Sequence, residues 1–148
     1  MPRKKPVIKV LPFFRDFPPK PNKLDMKEDL YWDLYTRHVP DFRKNFRILV
    51  DRNGWLVDGY ANYLVMQKYG DDNYAIDVYD DPIMPDITAL DKDGETVHVR
   101  VSMSDASKLY RGRRFVARVN GRLGILTATG INVFSPNVLK TVKVFVLP

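Results

Sequence analysis

Residues 48–64 have the sequence ILVDRNGWLVDGYANYL, in which two apolar runs of strand length flank a turn signal. The turn signal is Asn53-Gly54, because asparagine and glycine accept the positive φ that tight turns require. The pattern therefore predicts two neighbouring strands, over residues 46–51 and 55–58, with Asp51 shaping the turn between them.

The second of these strands leads directly into a helix. Asp58-Gly59 permits a sharp change of direction, and the following residues carry apolar side chains at helical spacing up to Gly70, a common helix end. We expect Asp58 to cap this helix. A third strand is predicted over residues 74–79, where the side chains alternate.

Two further elements are predicted upstream of this stretch. Residues 7–14 begin with a short alternating run, which predicts a strand that Pro12 stops. A helix is predicted over residues 26–38, with Asp25 as its cap. Its apolar face comprises Met26, Leu30, Leu34 and Tyr35, with Tyr31 beside them.

The remainder of the chain is predicted to be mostly β-structure. Residues 96–103 alternate, and a short helix capped by Ser104 follows them. Asn120-Gly121 lies between two apolar runs, which is the strongest short-range signal of a β-hairpin. We therefore expect an α+β protein, with a first domain over residues 1–84 and a β-rich, basic second domain over residues 85–148.

The composition limits the location and the chemistry that we expect. The 148 residues carry a formal net charge of +6, and 45% of them are hydrophobic, enough to build a core. No apolar run approaches the roughly 20 residues of a bilayer-spanning helix, and no apolar stretch typical of a secretory signal follows the N-terminus. With no cysteine, disulfides and thiolate chemistry are excluded. We expect a cytoplasmic protein with no membrane partner.

Positive charge is concentrated towards the C-terminal end of the chain. No acidic residue follows Asp105, whereas eight lysines and arginines do. In the predicted strand that begins at Arg114, this arginine shares one face with Val116 and Arg118. A tract of positive charge favours a polyanion or an acidic protein surface as partner. The alternative is a basic face that is simply solvated and binds no specific ligand. The candidate binding residues are Lys108, Arg111, Arg113, Arg114, Arg118 and Arg122.

The stretch at residues 48–64 resembles the ParB and sulfiredoxin superfamily, with its apolar strand, Asp, turn glycine, second apolar strand, Asp-Gly and helix start. The resemblance covers roughly residues 7–80. It implies a lobe with a small mixed sheet and two helices, and a phage or mobile-element context. Sulfiredoxin activity is excluded, because it requires a catalytic cysteine and this chain contains none.

In that superfamily the helix start binds nucleotide phosphates, and helix N-termini bind anions generally because their amide groups are unpaired. The corresponding residues here are Asp58, Gly59, Tyr60 and Asn62. Similarity to ParB implies CTP binding, yet Tyr60 and Asn62 stand where the family has a histidine or an arginine. Neither residue neutralises the charge of a phosphate. We therefore expect no bound cofactor, with nucleotide binding as the alternative.

Three functions remain open at this level. The first is a non-catalytic module that binds DNA or RNA through the basic hairpin, with the helix start contributing. The second is a protein that binds an acidic surface of nucleic-acid-processing machinery, such as an inhibitor of restriction or CRISPR defence. The third is a nuclease or nucleotidase in which Asp51 and Asp58, near the ends of adjacent strands, hold a divalent metal ion. We expect neither catalytic nor metal-binding residues.

Overall fold

The structure is a computed structural model that describes residues 7–135 and 139–148, and the protein it shows is α+β. The chain divides into two compact units. The first unit contains residues 7–10 and Phe17–Asp81, and the second contains Leu11–Asp16 together with the described residues from Pro82 onward. A short N-terminal segment therefore belongs to the C-terminal unit, which no sequence pattern indicates.

The described residues form nine strands, four α-helices and one 3-10 helix. The strands are β1 (Lys9–Val10), β2 (Ile48–Asp51), β3 (Trp55–Asp58), β4 (Ile76–Tyr79), β5 (Asp86–Leu90), β6 (Thr96–Arg100), β7 (Arg114–Val119), β8 (Arg122–Asn132) and β9 (Phe145–Val146). The helices are α1 (Pro12–Asp16), α2 (Pro21–Thr36), α3 (Tyr60–Lys68) and α4 (Met103–Ala106), and the 3-10 helix is Phe42–Phe46.

The first unit is built on a four-stranded mixed sheet in the order β1-β3-β2-β4. β2 and β3 form an antiparallel hairpin, while β1 pairs with β3 and β4 pairs with β2 in parallel. At the hairpin turn, one carboxylate oxygen of Asp51 accepts hydrogen bonds from the amides of Asn53 and Trp55, both at 2.9 Å. The predicted hairpin is confirmed and Asp51 shapes its turn as expected, although β2 begins at Ile48 and not at residue 46, because Phe46 belongs to the 3-10 helix.

Helix α3 follows β3 as predicted, but its N-cap residue is Gly59 and not Asp58. Gly59 has φ +85°, and a Cβ atom there would lie 2.7 Å from the carbonyl oxygen of Arg47. Only glycine brings the helix start this close to β2. The Asp58 carboxylate accepts a hydrogen bond from the Gly59 amide at 2.8 Å, so it bonds the cap residue and not the amides of the first helical turn.

Helix α2 begins at Pro21 and not at residue 26 as predicted. Proline suits the first helical position because it lacks the amide that would have no partner there. Asp25 consequently lies inside the helix and is not its cap. The predicted apolar face is also wrong, because Leu34 is buried whereas Met26, Leu30 and Tyr35 are exposed.

Aromatic residues form much of the packing among α2, α3 and the 3-10 helix. Tyr31 of α2 lies edge-on to Phe42 and Phe46, with ring centroids 5.3 and 5.4 Å away. Its ring also stacks on Tyr69, at 4.8 Å. Such pairs contribute about 0.5–1.5 kcal/mol each beyond the area they bury. The helical pattern placed Tyr31 only beside the apolar face, and its burial at the centre of this packing follows from partners farther along the chain.

The hydroxyl group of Tyr31 anchors the loop that follows α3. It donates a hydrogen bond to the buried carboxylate of Asp71 at 2.7 Å, and the Arg43 guanidinium donates to the same oxygen at 2.7 Å. The Asn73 amide binds the other oxygen at 3.1 Å. Burial raises the pKa of Asp71, but the hydrogen bonds from Tyr31, Asn73 and Arg43 outweigh it and lower the pKa below its ordinary value. Burial, together with the bond to Asp71, raises the pKa of Tyr31.

The second unit contains a five-stranded antiparallel sheet in the order β6-β5-β8-β7-β9. The segment that carries β9 connects the two edges of this sheet. Thr141 forms a parallel bridge to Arg100 of β6, and the Val142 amide donates to the Arg100 carbonyl at 2.8 Å. Because β9 then pairs with β7, the sheet curls back on itself like a small barrel. Its inner side carries the buried residues Ile87, Ala89, Val99, Phe115, Ala117, Leu126, Ala128 and Val144.

The predicted β7–β8 hairpin is confirmed. Its turn residues Asn120 and Gly121 have φ of 52° and 80°, and two successive positive values give a turn whose twist matches that of the strands. The short helix before it begins two residues earlier than predicted. Its cap is Ser102 and not Ser104, because the Ser102 hydroxyl accepts the Asp105 amide at 3.1 Å.

Candidate functional site

Alternation along β7 and β8 directs arginines and a set of apolar side chains to the same side of the second sheet. Phe115 and Ala117 are buried, so Arg114, Val116 and Arg118 point outward as predicted. Residues that face these three in the strand register lie on the same side. This outer sheet face comprises Arg114, Val116, Arg118, Leu123, Ile125, Thr127 and Phe145.

A groove of about 350 Å³ lies beside the tip of the hairpin, within the second unit. Strand β6, the hairpin and the segment before β9 each contribute to its walls. We call it the basic groove, because one cationic side chain comes from each of these three segments: Arg100, Arg118 and Lys140. The other lining residues are His98, Val99, Val119, Asn120, Gly121, Leu139 and Val142.

Hydrogen bonds hold the two arginines at the groove without using all their donors. A terminal nitrogen of Arg118 donates to the Gly121 carbonyl at 2.9 Å, across the hairpin turn. A terminal nitrogen of Arg100 donates to the Leu139 carbonyl at 3.3 Å, while its buried Nε has no acceptor among the described residues. An arginine carries five N–H donors, so both guanidinium groups retain donors for a ligand.

The electrostatics of the basic groove favour an anion. No carboxylate is among its lining residues, and Arg100, Arg118 and Lys140 form no ion pair within the described part of the chain. A carboxylate does lie behind His98, whose Nδ1 is 3.3 Å from the buried Asp86. Guanidinium groups match the oxygen geometry of phosphate, so the groove is suited to a phosphate group.

Three of the six binding residues predicted from the sequence precede β7, and the other three lie on the β7–β8 hairpin. Lys108, Arg111 and Arg113 lie between α4 and the start of the strand, whereas Arg114, Arg118 and Arg122 lie on the hairpin. Of the six, Arg118 alone lines the basic groove.

Internal contacts engage the residues that precede β7. Lys108 pairs with Asp105 at 3.5 Å, and Arg113 donates to the Tyr110 hydroxyl at 2.9 Å. The backbone amide of Arg111 donates to the Asp16 carboxylate of α1 at 2.7 Å. Lys108 and Arg113 therefore use their side chains in contacts within the second unit, as Arg118 does with the Gly121 carbonyl.

Sequence reasoning did not select Arg100 and Lys140 as binding residues. They lie 40 positions apart in the chain, and only the closure of the sheet brings them to one groove. The available signal was the alternation in residues 96–103, which places His98 and Arg100 opposite the buried valines. That signal indicates exposure, but it does not indicate which other residues share the surface.

The four residues of the predicted phosphate-binding helix start lie together in the first unit, and contacts within that unit engage them. The side-chain amide of Asn62 donates to the Arg47 carbonyl at 2.8 Å, and the Asp58 carboxylate lies against the Gly59 amide. Tyr60 packs on Tyr63, with ring centroids 6.4 Å apart. An anion at this helix start would meet a negative carboxylate, and none of the four residues supplies a positive charge.

Asp51 and Asp58 do not come together as a pair of metal ligands. In an antiparallel hairpin the end of one strand faces the beginning of the next, so Asp51 lies at the turn and Asp58, opposite Leu49, lies at the other end. Both residues do lie at the ends of adjacent strands, as predicted, but these ends are at opposite ends of the hairpin, which does not favour a shared metal ion. Within residues 7–135 and 139–148, no three His, Asp or Glu side chains group as a metal site.

None of the described helices is both long enough and apolar enough to cross a bilayer. Comparison with known protein families, with curated proteins and with solved structures finds no match to this chain. The resemblance to the ParB superfamily stays a prediction, and the function has to be argued from the geometry of the site.

Proposed function

We propose that this protein is a non-catalytic module that binds DNA or RNA through its second unit. The observation that carries the proposal is the basic groove, where Arg100, Arg118 and Lys140 converge without a facing carboxylate. Contacts between such cations and the phosphate backbone release counterions, and this supplies most of the affinity of sequence-independent binding.

Charge outside the groove supports the same class of partner. Arg114 and Arg122 are exposed on the hairpin, and neither forms an ion pair with a described residue. Because no acidic residue follows Asp105, all the charged side chains of strands β7 and β8 are positive. A field of one sign accelerates encounter with a polyanion, and its effect weakens as salt is added.

The test is a fluorescence-anisotropy titration of labelled single-stranded DNA, duplex DNA and RNA at about 50 and about 200 mM salt. An Arg100→Ser/Arg118→Ser/Lys140→Ser variant removes the three charges of the groove. If each cation contacts one phosphate, we expect the slope of log affinity against log salt to decrease by about 2 to 3 in this variant.

The matched control removes three exposed charges from the first unit, in an Arg37→Ser/Lys44→Ser/Arg52→Ser variant. Its net charge equals that of the groove variant, so a general electrostatic effect would weaken both equally. We expect the control to keep most of the affinity of the wild type. Equal weakening of the two variants, or no binding to any nucleic acid at the lower salt, contradicts the proposal.

One observation favours a second candidate function, binding to an acidic surface of a nucleic-acid-processing protein. Leu123 and Ile125 are 63% and 53% exposed on the outer sheet face, beside the arginines. Protein interfaces combine apolar side chains with arginine in this way. A one-to-one complex with such a protein that persists at high salt, in the absence of any affinity for nucleic acid, would favour this candidate.

A further inference from the structure

We infer that the nucleic acid bound by the second unit is single-stranded and that one of its bases stacks on Phe145. The inference rests on the proposed function and specifies its ligand. It starts from a row of three side chains, Ile125, Val116 and Phe145, which face one another across β8, β7 and β9.

The row consists of apolar side chains that the core does not use. Phe145 is 57% exposed and Ile125 is 53% exposed, whereas their neighbours along the strands, Val144 and Leu126, are buried. The Lys143 ammonium lies 5.9 Å from the centre of the Phe145 ring. Exposed aromatic rings stack on bases in proteins that bind single strands, and nearby cations contact the phosphates; here the Lys143 ammonium lies over the Phe145 ring, at the outer limit of a cation–π contact.

Arginines flank the row on both sides along β7. Arg114 and Arg118 are each two residues from Val116 on the same face, so their Cα atoms lie about 7 Å to either side of it. Neither arginine pairs with a described acidic residue. A chain of nucleotides that follows β7 would therefore meet a cation, then the apolar row with its ring, then a second cation that also lines the basic groove.

This arrangement fits a single strand better than a duplex. In a duplex the faces of the bases are covered by their neighbours, and only unpaired strands, loops and ends offer a face to an aromatic side chain. Stacking accepts any sequence, because every base has a π face. An acidic protein surface is the competing occupant, and such a partner needs an apolar side chain at position 145 but no ring.

The experiment distinguishes the contribution of the aromatic ring to binding from the contribution of apolar area, and neither substitution changes the charge. A labelled single strand and its duplex are titrated with the wild type, Phe145→Leu and Phe145→Tyr. We expect Phe145→Leu to weaken single-strand binding by about 5- to 150-fold, the range that the loss of one stacked base produces. Phe145→Tyr should retain the affinity because it retains the ring. Duplex binding should depend on neither substitution.

The control is Tyr35→Leu, which removes a ring of similar exposure, 51%, from the first unit. We expect no change in affinity for this variant, and circular dichroism checks that every variant keeps its fold. If Phe145→Leu does not fold, photo-cross-linking of the wild type to a bromouracil-containing strand replaces it. A cross-link at Phe145 supports the inference, and cross-links confined to other positions overturn it.

The outcomes distinguish the inference from the proposed function. Unchanged single-strand affinity in Phe145→Leu, preferential binding of the duplex, or equal weakening by Tyr35→Leu overturns the inference alone. Failure of the wild type to bind any nucleic acid overturns both. Binding of polyglutamate that depends on Arg114 and Arg118 but tolerates Phe145→Leu identifies an acidic protein surface as the occupant, and this too overturns the inference.

Discussion

The two units of this protein differ in the way that their basic residues are paired. In the first unit several basic side chains form ion pairs, and one of them, Arg43, reaches the buried Asp71. In the second unit the cations of the hairpin and the groove have no ion-pair partner among the described residues; they are the exposed Arg114, Arg118, Arg122 and Lys140 and the half-buried Arg100.

This difference indicates where the charges of each unit act. A buried carboxylate with its partners contributes to stability and is costly to disrupt, whereas an exposed, unpaired cation contributes little to folding and remains available to a ligand. Substitutions of charged residues should therefore change unfolding in the first unit and binding in the second. Both tryptophans, Trp32 and Trp55, lie in the first unit, so their fluorescence reports its unfolding.

The largest effect that we expect comes from Asp71→Asn. This change keeps the size of the side chain but removes the charge that holds Tyr31 and Arg43, and we expect the free energy of unfolding of the first unit to fall by about 3 kcal/mol. Urea titration followed by tryptophan fluorescence measures it. The control is Asp77→Asn, which removes an exposed partner of Arg47. Equal destabilisation by the two changes would remove the distinction between buried and exposed pairs.

The next largest effect concerns the backbone of the helix start. Gly59→Ala places a Cβ atom 2.7 Å from the Arg47 carbonyl oxygen at a φ of +85°, so the strain of the left-handed conformation adds to a clash. We expect a loss of about 2 kcal/mol or more. Gly70→Ala is the matched control, because its φ of +65° is strained but no atom lies within 4 Å. We expect it to cost about 1 kcal/mol in the same fluorescence assay. A smaller loss for Gly59→Ala would contradict the close approach of α3 to β2.

A smaller effect should appear on acidification. The pKa of Asp71 is lowered in the folded protein, so its contribution to stability is complete above the ordinary value of 3.8 and is lost as the pH falls towards the folded pKa. Protonation of the Asp71 carboxylate spans about two pH units, roughly from pH 5 to pH 3. Over this range we expect the free energy of unfolding of the first unit to fall more steeply in the wild type than in Asp71→Asn. Urea titrations at several pH values give the free energy of unfolding of both proteins against pH. Parallel curves would show that Asp71 is not the source of the acid sensitivity.

The smallest effect on stability should come from the second unit. Arg114→Ser/Arg122→Ser removes two exposed cations that form no ion pair among the described residues, so we expect the free energy of unfolding to change by less than about 0.5 kcal/mol per substitution. The affinity for nucleic acid should fall nonetheless. Thermal unfolding by circular dichroism, beside the anisotropy titration, checks both results. Clear destabilisation would mean that these arginines support the fold.

Local elements could be predicted because neighbouring residues determine them. Gly54, Asn120 and Gly121 take the positive φ that their turns require, and the apolar runs beside them form the strands. The start of α2 was misplaced because Asp25 imitates a cap, whereas Pro21 begins the helix. Its buried face was misjudged because Tyr31 is buried by residues of the 3-10 helix and by Asp71, 40 positions away.

The candidate site likewise could be predicted only as far as nearby residues determine it. The sequence by itself determined the α+β character, the β7–β8 hairpin and the excess of positive charge after Asp105, because turn chemistry, alternation and charge are properties of nearby residues. The tertiary structure decided which cations share a groove and that Phe145 faces outward between two arginines. It did so through strand pairing between distant segments: β9 pairs with β7, and Thr141 pairs with Arg100, so the register places Arg100, Arg118 and Lys140 together.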